Sequence, residues 1–309
     1  MKRNGIILLF ALLLATCINA QQKTDKHRFD PPWNTPLKGG VNFTVPGIDN
    51  VPDLFGDIND PQLVVFFAGN QFMVLDELLE AFKTAYPQYT RIFVETLPPG
   101  ILAKQIKEQS LVMGNMRITL APDIFSDGKN KMEDYAKQGW FDTMHIYAKN
   151  RLTIMTYKDN PLQIRSFKDF GKKDVRISMP NPAHESIGKR IELAYEQTGG
   201  AALRKTIMDE KVNNGTTMLT AIHHRETPLA ILNKTADAGP VWYTEAYYQK
   251  MINHPVEIVE IPEKENIYTE YVAGVLKNAP HKDAANAFLQ FITTGKGKEI
   301  YKKYGFIVE

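Results

Sequence analysis

The sequence predicts an α/β fold with mixed, mainly parallel sheets. Positions 63–67 form a continuous apolar run, as expected for a strand that is buried on both faces. The segment at 89–95, which contains Ile92-Phe93-Val94, is predicted to be the next strand. Between them, apolar side chains recur at helical spacing, at Leu75, Leu78, Leu79 and Phe82. A strand, a helix and a strand in this order are typical of parallel strands joined by right-handed crossovers.

The alternation of strands and helices continues in two series. In the first, a helix at 101–107, a strand at 124–125 and a helix at 131–138 follow. A strand at 152–157, which the turn residues Asp159-Asn160-Pro161 end, lies between this series and the second. The second series has predicted strands at 175–179 and 238–242 and predicted helices at 187–198, 218–222 and 228–233. Late strands at 256–261 and 271–276 and helices at 284–293 and 296–304 follow it.

The first 60 residues differ in composition from the rest of the chain. Lys2 and Arg3 precede an apolar segment at 6–15, and 18–20 offers a small-residue cleavage site. Positions 1–20 are therefore interpreted as an export signal peptide. The alternative is a lipoprotein box that ends at Cys17, which would then anchor the protein to a membrane. Positions 21–60 are polar and rich in proline and glycine, which predicts an extended N-terminal arm.

Charge and cysteine content exclude several classes of function. The chain has 37 Lys+Arg and 35 Asp+Glu, and the predicted signal peptide removes Lys2 and Arg3, which leaves 35 residues of each sign. A balanced chain has no basic excess that would favour nucleic acid or anionic lipid as a partner. The one cysteine lies in the predicted signal peptide, so disulfides and thiolate metal sites are excluded from the mature chain.

Polar residues follow several predicted strands, at the edge of a parallel sheet where ligands bind. Each of these junctions leads into a helix, whose free N–H groups and positive N-terminal dipole favour an anion. We therefore expect the junctions to line a cleft that binds a small anion. The candidate ligand-binding residues at the junctions are Asn70, Gln71, Pro99, Gly100, His184, Ser186, Trp242 and Tyr243.

The run at 223–228, His-His-Arg-Glu-Thr-Pro, adds two candidates. Thr227 followed by Pro228 is typical of a helix start, because the Thr hydroxyl can cap free N–H groups and Pro lacks the N–H that would go unpaired. Arg225 can neutralise an anion through a bidentate contact. We therefore include Arg225 and Thr227 among the candidate ligand-binding residues.

A metal site is the alternative interpretation of the same region. His184, His223, His224 and Glu226 are residue types that bind divalent cations. Adjacent histidines on a helix point about 100° apart, however, so both do not easily reach one ion. The favoured interpretation has no metal: one imidazole donates to the ligand or orients a loop, and the other packs at a helix end.

The sequence lacks the motifs of common enzymes. It contains no G-x-S-x-G elbow, no H-E-x-x-H and no P-loop. Ser186 lies close to His184 and Glu185, but residues this near in sequence do not have the spacing of a catalytic triad. We therefore expect no enzyme activity and no cofactor.

Several short segments, taken in order, carry a family resemblance. They are 65–70, 102–106, 122–126, 181–184, 236–239 and the C-terminal segment 287–306. In this order and spacing they resemble the exported solute-binding proteins of ABC importers, in the class whose best-known members bind molybdate. The resemblance covers roughly residues 61–309.

The resemblance implies the type II periplasmic-binding-protein fold, in which two α/β lobes joined by two hinge strands close around a ligand. The hinge strands would fall near 146–157 and 255–276. Lobe 1 would then consist of 61–150 with 263–309, and lobe 2 of 151–262. Molybdate binders of this class have hydroxyl residues where this chain has Asn70 and Pro99-Gly100, and a tyrosine where it has Trp242. We therefore expect backbone N–H groups near Asn70 and Gly100 to hold the ligand.

These observations together predict a monomeric periplasmic protein that captures a small, polar, anionic ligand by lobe closure. It would deliver the ligand to an ABC permease in the membrane. Two alternatives stay open at this point: a binding protein for a divalent metal or metal complex, and a ligand-sensing accessory module for a signalling receptor.

Overall fold

A computed structural model of the protein describes residues 41–43, 53–183 and 185–309. The predicted signal peptide, Cys17, most of the arm at 21–60 and the candidate residue His184 lie outside the described residues. In the part of the chain that is described, no helix is both long enough and apolar enough to cross a bilayer.

The first half of the fold alternates strands and helices as the sequence predicts. A 3-10 helix, Gly69–Val74, connects the third strand to the first α-helix. The strands are β1 (Val41–Phe43), β2 (Leu54–Gly56), β3 (Leu63–Phe66), β4 (Ile92–Glu95), β5 (Leu111–Met113), β6 (Met116–Ile118), β7 (Ile124–Gly128) and β8 (Phe141–Tyr157). The helices are α1 (Leu75–Ala85), α2 (Pro99–Glu108) and α3 (Lys129–Lys137).

The second half continues with shorter strands. Irregular helical turns occupy Phe167–Gly171, Thr206–Glu210 and Glu263–Glu265. The strands are β9 (Ile177–Met179), β10 (Thr217–Leu219), β11 (Ala238–Trp242), β12 (Val256–Val259) and β13 (Tyr268–Leu276). The helices are α4 (Ser186–Lys205), α5 (Lys211–Asn213), α6 (Glu226–Leu232), α7 (Tyr243–Met251), α8 (Lys282–Thr293) and α9 (Gly295–Lys303).

Two predictions in the second half are wrong. The segment predicted as a helix at 218–222 is not helical and overlaps strand β10, which pairs in parallel with β9. Tertiary pairing overrides the local pattern here, since a three-residue strand has almost no sequence signal of its own. Helix α6 begins at Glu226, before the Thr227-Pro228 pair that was predicted to start it. The N-cap position is held by Arg225, whose side chain does not cap the helix.

The strands pair in the order β1-β2-β4-β3-β7-β13-β8-β11-β9-β10, and β12 pairs with the other side of β8. The sheet is mixed, as predicted, but it is not mainly parallel, because six of the strand pairs that the structure describes are antiparallel and four are parallel. Parallel pairing is confined to β3 with β4 and β7, and to β9 with β10 and β11. The pairs made by β8 and β13 are antiparallel, because both strands return through the middle of the molecule.

Strand β8 passes from one half of the sheet to the other. Its first part, up to Arg151, pairs with β13. From Leu152 onward it pairs with β11 and β12 instead. Asn266, just before β13, ties β8 to the start of β13 at the change of partner. Its side chain accepts the Leu152 N–H at 3.0 Å and donates to the Leu152 carbonyl at 2.9 Å. Strands β8 and β13 therefore lie where the hinge strands were predicted.

The hydrophobic core consists of separate clusters on the two sides of the point where β8 changes its pairing partners. One core draws its buried residues from 54–148 and 271–306, and includes Phe66, Phe82 and Phe288. Two further clusters use only residues between 152 and 261, and include Tyr195 and Trp242. We infer that these cores correspond to the two predicted lobes, and we use the names lobe 1 and lobe 2 for them below.

Candidate functional site

A small cavity lies at the carboxyl ends of strands from both lobes. Lobe 1 contributes the residues that follow β3 and β4 and the end of β7, and lobe 2 contributes the start of α4, the loop before α6 and the end of β11. Its volume is about 20 Å³, in a measure by which one water molecule needs about 10–15 Å³. The lining residues are Ala68, Gly69, Asn70, Pro98, Pro99, Asp127, Gly128, Glu185, Ser186, Ile187, Arg190, His224, Trp242, Thr269 and Tyr271.

The cavity brings together some of the residues predicted to bind a ligand. The predicted residues in its wall are Asn70, Pro99, Ser186 and Trp242. The predicted residues that do not line it are Gln71, Gly100, Arg225, Thr227 and Tyr243. His184 belongs to the same junction as Ser186 but is not among the described residues.

Three of the predicted residues that do not line the cavity, Gln71, Gly100 and Tyr243, lie in other surroundings. Gln71 is buried behind the cavity, where its Nε2 donates to Asn70 Oδ1 at 3.1 Å. Gly100 is exposed in the first turn of α2. The ring of Tyr243 lies 3.7 Å from the Arg151 guanidinium and packs against Tyr247. Tyr243 therefore belongs to a surface stack, although it directly follows the lining residue Trp242.

Thr227 and Glu226 support the loop that precedes α6. Thr227 is fully buried, and its hydroxyl accepts a hydrogen bond from Ser178 Oγ at 3.2 Å. The Glu226 carboxylate accepts the backbone N–H groups of Ala221, Ile222 and His223 at 2.7–2.9 Å. Both side chains are therefore engaged inside lobe 2 and do not reach the cavity.

Asn70 and Tyr271 form a hydrogen bond with each other in the wall of the cavity. Asn70 Nδ2 donates to the hydroxyl of Tyr271, at 2.5 Å. Because that oxygen accepts from Asn70, its own hydrogen is left to point elsewhere, and Tyr271 lines the cavity. Burial raises the pKa of Tyr271 well above its usual value, so the hydroxyl keeps its proton. The Tyr271 hydroxyl is thus a neutral donor for a ligand in the cavity.

Asp127 and Arg190 are two ionisable residues in the wall. Asp127 Oδ1 accepts the Gly128 N–H at 2.6 Å. Burial raises the pKa of Asp127 to about 6, against the opposing effects of the Gly128 N–H, Arg190 and Lys131. Arg190 comes close because Gly128 has no side chain: a Cβ there would lie 2.9 Å from Arg190 Nη2.

Glu185 connects the start of α4 to the loop before α6. Its Oε1 accepts the Thr220 hydroxyl at 2.6 Å, and its Oε2 accepts the His224 backbone N–H at 2.6 Å. The same Oε2 lies 2.8 Å from His224 Nδ1. Burial raises the pKa of Glu185, but its contacts with His224 and Thr220 outweigh burial and hold the pKa below its usual value.

His224 lies between two carboxylates. Its Nδ1 faces Glu185, and its Nε2 lies 3.2 Å from Glu245 Oε1. Burial lowers the pKa of His224, but the charges and hydrogen bonds of Glu245 and Glu185 outweigh burial and raise the pKa to about 10. His224 is therefore a buried imidazolium whose charge is balanced within lobe 2.

His223 is neutral and packs against lobe 1. Burial lowers its pKa well below the usual value, and the neighbouring Arg225 and His224 lower it further. Its Nδ1 accepts the Arg225 N–H at 3.2 Å, so the proton of the neutral ring lies on Nε2. The ring approaches Gly69 so closely that a Cβ at position 69 would lie 2.3 Å from His223 Cε1.

The metal interpretation can be examined on these contacts. Among the described residues, Glu185, His223 and His224 offer ligand atoms that lie within 4.8 Å of one another. A metal needs deprotonated ligands. His224 holds its proton between two carboxylates, and His223 Nδ1 already accepts a backbone N–H. Glu226, which the sequence suggested as a ligand, is occupied by backbone N–H groups.

Arg225 connects lobe 2 to the end of the N-terminal arm. Its guanidinium forms a buried ion pair with Asp53, the residue before β2, and lies 5.4 Å from the Phe72 ring. The Asp53 and Arg225 side chains are only 2% and 3% exposed. Strand β2 pairs with β4 of lobe 1. Arg225 therefore joins the two lobes next to the cavity and is not part of its wall.

Sequence analysis did not select five polar lining residues: Asp127, Glu185, Arg190, Thr269 and Tyr271. Arg190 could have been found, because it lies four residues after Ser186 and so on the same face of α4. Asp127 was missed because the predicted strand at 124–125 ends too early, whereas β7 continues to Gly128. Tyr271 and Thr269 were interpreted only as part of a hinge strand.

Comparison with known proteins identifies a family. A family model described as bacterial extracellular solute-binding protein matches residues 63–307. The molybdate-binding protein ModA of Mycobacterium tuberculosis is 26% identical over 252 residues, which cover 79% of this chain and 84% of that protein. The family resemblance predicted from the sequence is confirmed by these matches.

Solved structures have the same fold. The periplasmic molybdate-binding protein of Azotobacter vinelandii matches with a TM-score of 0.65 at 18% identity, over 80% of this chain and 99% of that one. The sulfate-binding protein SubI of Mycobacterium tuberculosis matches with a TM-score of 0.64 at 18% identity, over 79% and 85%. The predicted two-lobed α/β fold is thereby confirmed.

The buried pair of Arg225 and Asp53 yields a stability prediction. Arg225→Ala leaves the Asp53 carboxylate buried without this partner, which costs about 3–5 kcal/mol of unfolding free energy. Arg176→Ala is the matched control, because Arg176 also pairs with an aspartate, Asp237, but is 47% exposed. The control should lose about 0–1 kcal/mol. Urea denaturation of both variants measures the difference.

A second substitution tests whether the buried charge causes the loss. Adding Asp53→Asn to Arg225→Ala removes the buried negative charge, so part of the lost stability should return. Equal losses in Arg225→Ala and Arg176→Ala would show that the buried pair has no special role.

Proposed function

The chain belongs to the family of bacterial extracellular solute-binding proteins, and from that premise we propose that it captures an oxyanion in the cavity between its lobes. The observation that carries this proposal is the convergence of hydrogen-bond donors on one small space. Arg190, the Tyr271 hydroxyl and the first turn of α4 all line the cavity. Its volume of about 20 Å³ suits an ion or a compact head group rather than a bulky molecule.

The N-terminus of α4 supplies backbone donors. The helix begins at Ser186, and no side chain among the described residues caps it. The first N–H groups of a helix have no partner within the helix, and together with the helix dipole they favour an anion. Ser186 and Ile187, whose N–H groups are among these, both line the cavity.

Arg190 supplies the positive charge. Its Nη1 donates to the Ser186 carbonyl at 3.1 Å, and within the described residues it forms no ion pair. The charge of His224, by contrast, is balanced by Glu185 and Glu245. An arginine that lacks a carboxylate partner can form charge-assisted hydrogen bonds, which are roughly twice as strong as neutral ones.

Hydroxyl donors are present, but on other elements than in molybdate binders. Molybdate binders of the class that this chain resembles have hydroxyl residues at the positions of Asn70, Pro99-Gly100 and Trp242, and this chain has none there. Tyr271 and Thr269 of β13, with Ser186 of α4, bring hydroxyl groups to the same cavity. We propose that these residues take over the role of the missing hydroxyls, so the ligand class is an oxyanion although molybdate itself is not specified.

We further propose that the protein is exported, acts as a monomer and delivers its ligand to an ABC permease. The names of the similar proteins, a molybdate-binding protein and a sulfate-binding protein, support an oxyanion as cargo. Closure would bend β8 and β13 near Arg151 and Leu152, where β8 changes partners. A sensing role would use the same binding step and would differ only in the partner that receives the closed form.

Metal binding is the second candidate, supported by the proximity of Glu185, His223 and His224. It is less well supported than oxyanion binding, because His224 would have to lose a proton that two carboxylates stabilise. Neither candidate involves catalysis: the residues described at the cavity bind and orient, and we propose no chemical step.

A thermal-shift panel tests the proposal. It contains molybdate, tungstate, sulfate, phosphate, small carboxylates and divalent metals, each with and without chelator. A ligand present at about one hundred times its Kd adds roughly 2.7 kcal/mol to the free energy of unfolding. We expect stabilisation by an oxyanion that a chelator does not abolish. Stabilisation by a metal alone, abolished by chelator, would contradict the proposal and favour the Glu185 and histidine cluster.

The role of Arg190 is tested with the best oxyanion from the panel. Arg190→Gln should weaken its binding about 10- to 100-fold, because a hydrogen bond to a charged group contributes about 1.5–3 kcal/mol. Arg204→Gln is the control, since Arg204 lies beyond the break of α4 at Gly199 and Gly200, pairs with Glu192 and does not line the cavity. Isothermal titration calorimetry measures both. Equal affinities for the two variants would remove Arg190 from the site.

Binding should also depend on pH through Asp127. Its pKa of about 6 means that its carboxyl group loses a proton as the pH rises through 6 and adds negative charge to the cavity. His224, with a pKa of about 10, stays protonated over the same range. The affinity for an oxyanion that is fully ionised throughout, such as sulfate, should therefore fall between pH 5 and 7.5. Above the pKa of Asp127, the affinity can fall by at most about tenfold per pH unit.

The Asp127→Asn variant isolates this effect. Asparagine is neutral at every pH, so its affinity for sulfate should stay nearly constant over the same range. The same pH dependence in both proteins would show that another group controls binding.

A further inference from the structure

A larger groove lies directly outside the cavity. Its volume is about 710 Å³, within the range of sites that bind small organic molecules. The groove and the cavity share Ser186, Arg190 and Thr269 in their walls. The two spaces are therefore neighbours, with Arg190 in the boundary between them.

The groove is strongly basic. Lys129, Lys131, Lys149 and Lys189 line it together with Arg190, and among the described residues Glu270 is the one acidic residue in its wall. Glu270 is engaged by Lys129 at 2.8 Å and by Lys149 at 3.1 Å. Within the described residues, Lys131 and Lys189 form no ion pair. Their positive charge is available to a ligand that extends out of the cavity.

The groove also has apolar surface. Leu193 lies on α4, one turn after Lys189, and is 52% exposed. Tyr268, at the start of β13, is 47% exposed. An inorganic oxyanion would contact neither of these side chains. Apolar surface beside unpaired lysines suits an organic acid, whose carbon skeleton and acidic groups need both.

We propose that the ligand is an organic oxyacid, with its oxyanion head in the cavity and its carbon skeleton in the groove. This inference rests on the proposed function and deepens it, because it names the class of the captured oxyanion. Arg190 contacts the head from the boundary, Leu193 and Tyr268 pack against the skeleton, and Lys131 and Lys189 bind a second acidic group. The small cavity excludes the skeleton and so determines which end of the ligand enters.

The test compares three probes that share one head group: inorganic phosphate, glycerol 3-phosphate and 3-phosphoglycerate. Calorimetry on the protein from Gln21 onward gives a Kd for each. We expect both esters to bind more tightly than inorganic phosphate. The phosphoglycerate should bind at least about tenfold more tightly, because it adds a carboxylate as well as a carbon skeleton.

Groove variants separate this inference from binding of the head. Lys189→Gln and Leu193→Ala should each weaken the binding of 3-phosphoglycerate by about fivefold or more and leave inorganic phosphate nearly unchanged. Lys205→Gln is the control, because Lys205 is an exposed lysine at the end of α4, beyond the break at Gly199 and Gly200 and outside the groove. It should alter neither affinity.

The outcomes distinguish the two proposals. Esters that bind no more tightly than inorganic phosphate would overturn the organic oxyacid and leave oxyanion capture standing. Stabilisation by an inorganic oxyanion alone, with no response to either ester, would also overturn the organic oxyacid and leave oxyanion capture standing. The lysines of the groove would then serve only to attract anions toward the cavity. No binding of any phosphate probe or of any oxyanion in the thermal-shift panel would overturn both.

Discussion

The Glu185 carboxylate is the interaction on which the site depends. Glu185 is the N-cap residue of α4, and its two oxygens accept hydrogen bonds from Thr220 and His224. It thereby ties the start of α4, with its free N–H groups, to the loop at 220–225. That loop packs His223 against Gly69 of lobe 1. A buried carboxylate is costly unless it is paired and fully hydrogen-bonded, so His224 must be protonated and the loop must adopt this one position.

Local charge, and not net charge, makes the cleft suitable for an anion. The mature chain was expected to have equal numbers of acidic and basic residues, which by itself predicts no charged partner. In the folded protein the balance differs from place to place. Glu185 and Glu245 balance His224 inside lobe 2, whereas Arg190, Lys131 and Lys189 have no carboxylate within ion-pair distance among the described residues. An excess of positive charge beside the cavity raises the local concentration of an anion and speeds its association.

Sequence analysis located the edge of the sheet at which the cavity lies, because that edge follows from strand order. Buried runs such as 63–67 and the segment Ala238–Trp242 indicate parallel strands, and the residues after them must lie at one edge, so Asn70, Ser186 and Trp242 were found. Arg225 shows the limit of this reasoning. Its charge and its place before a helix suggested an anion site, but its partner, Asp53, is 172 residues away. No local pattern encodes such a pairing, nor the return of β13 that brings Tyr271 to the cavity.

The pair of Asp53 and Arg225 gives the end of the arm a part in building the site. Residues before 63 lie outside the family match, yet Asp53 reaches the loop that carries His223 and His224. A buried ion pair adds little net stability, because desolvation offsets much of the attraction, but it penalises every arrangement in which one charge is left alone. Any other position of the loop at 220–225 would separate the Arg225 guanidinium from the Asp53 carboxylate. It would also move His224 away from Glu185. Asp53, at the end of the arm, therefore helps to select the loop position that forms the cavity wall.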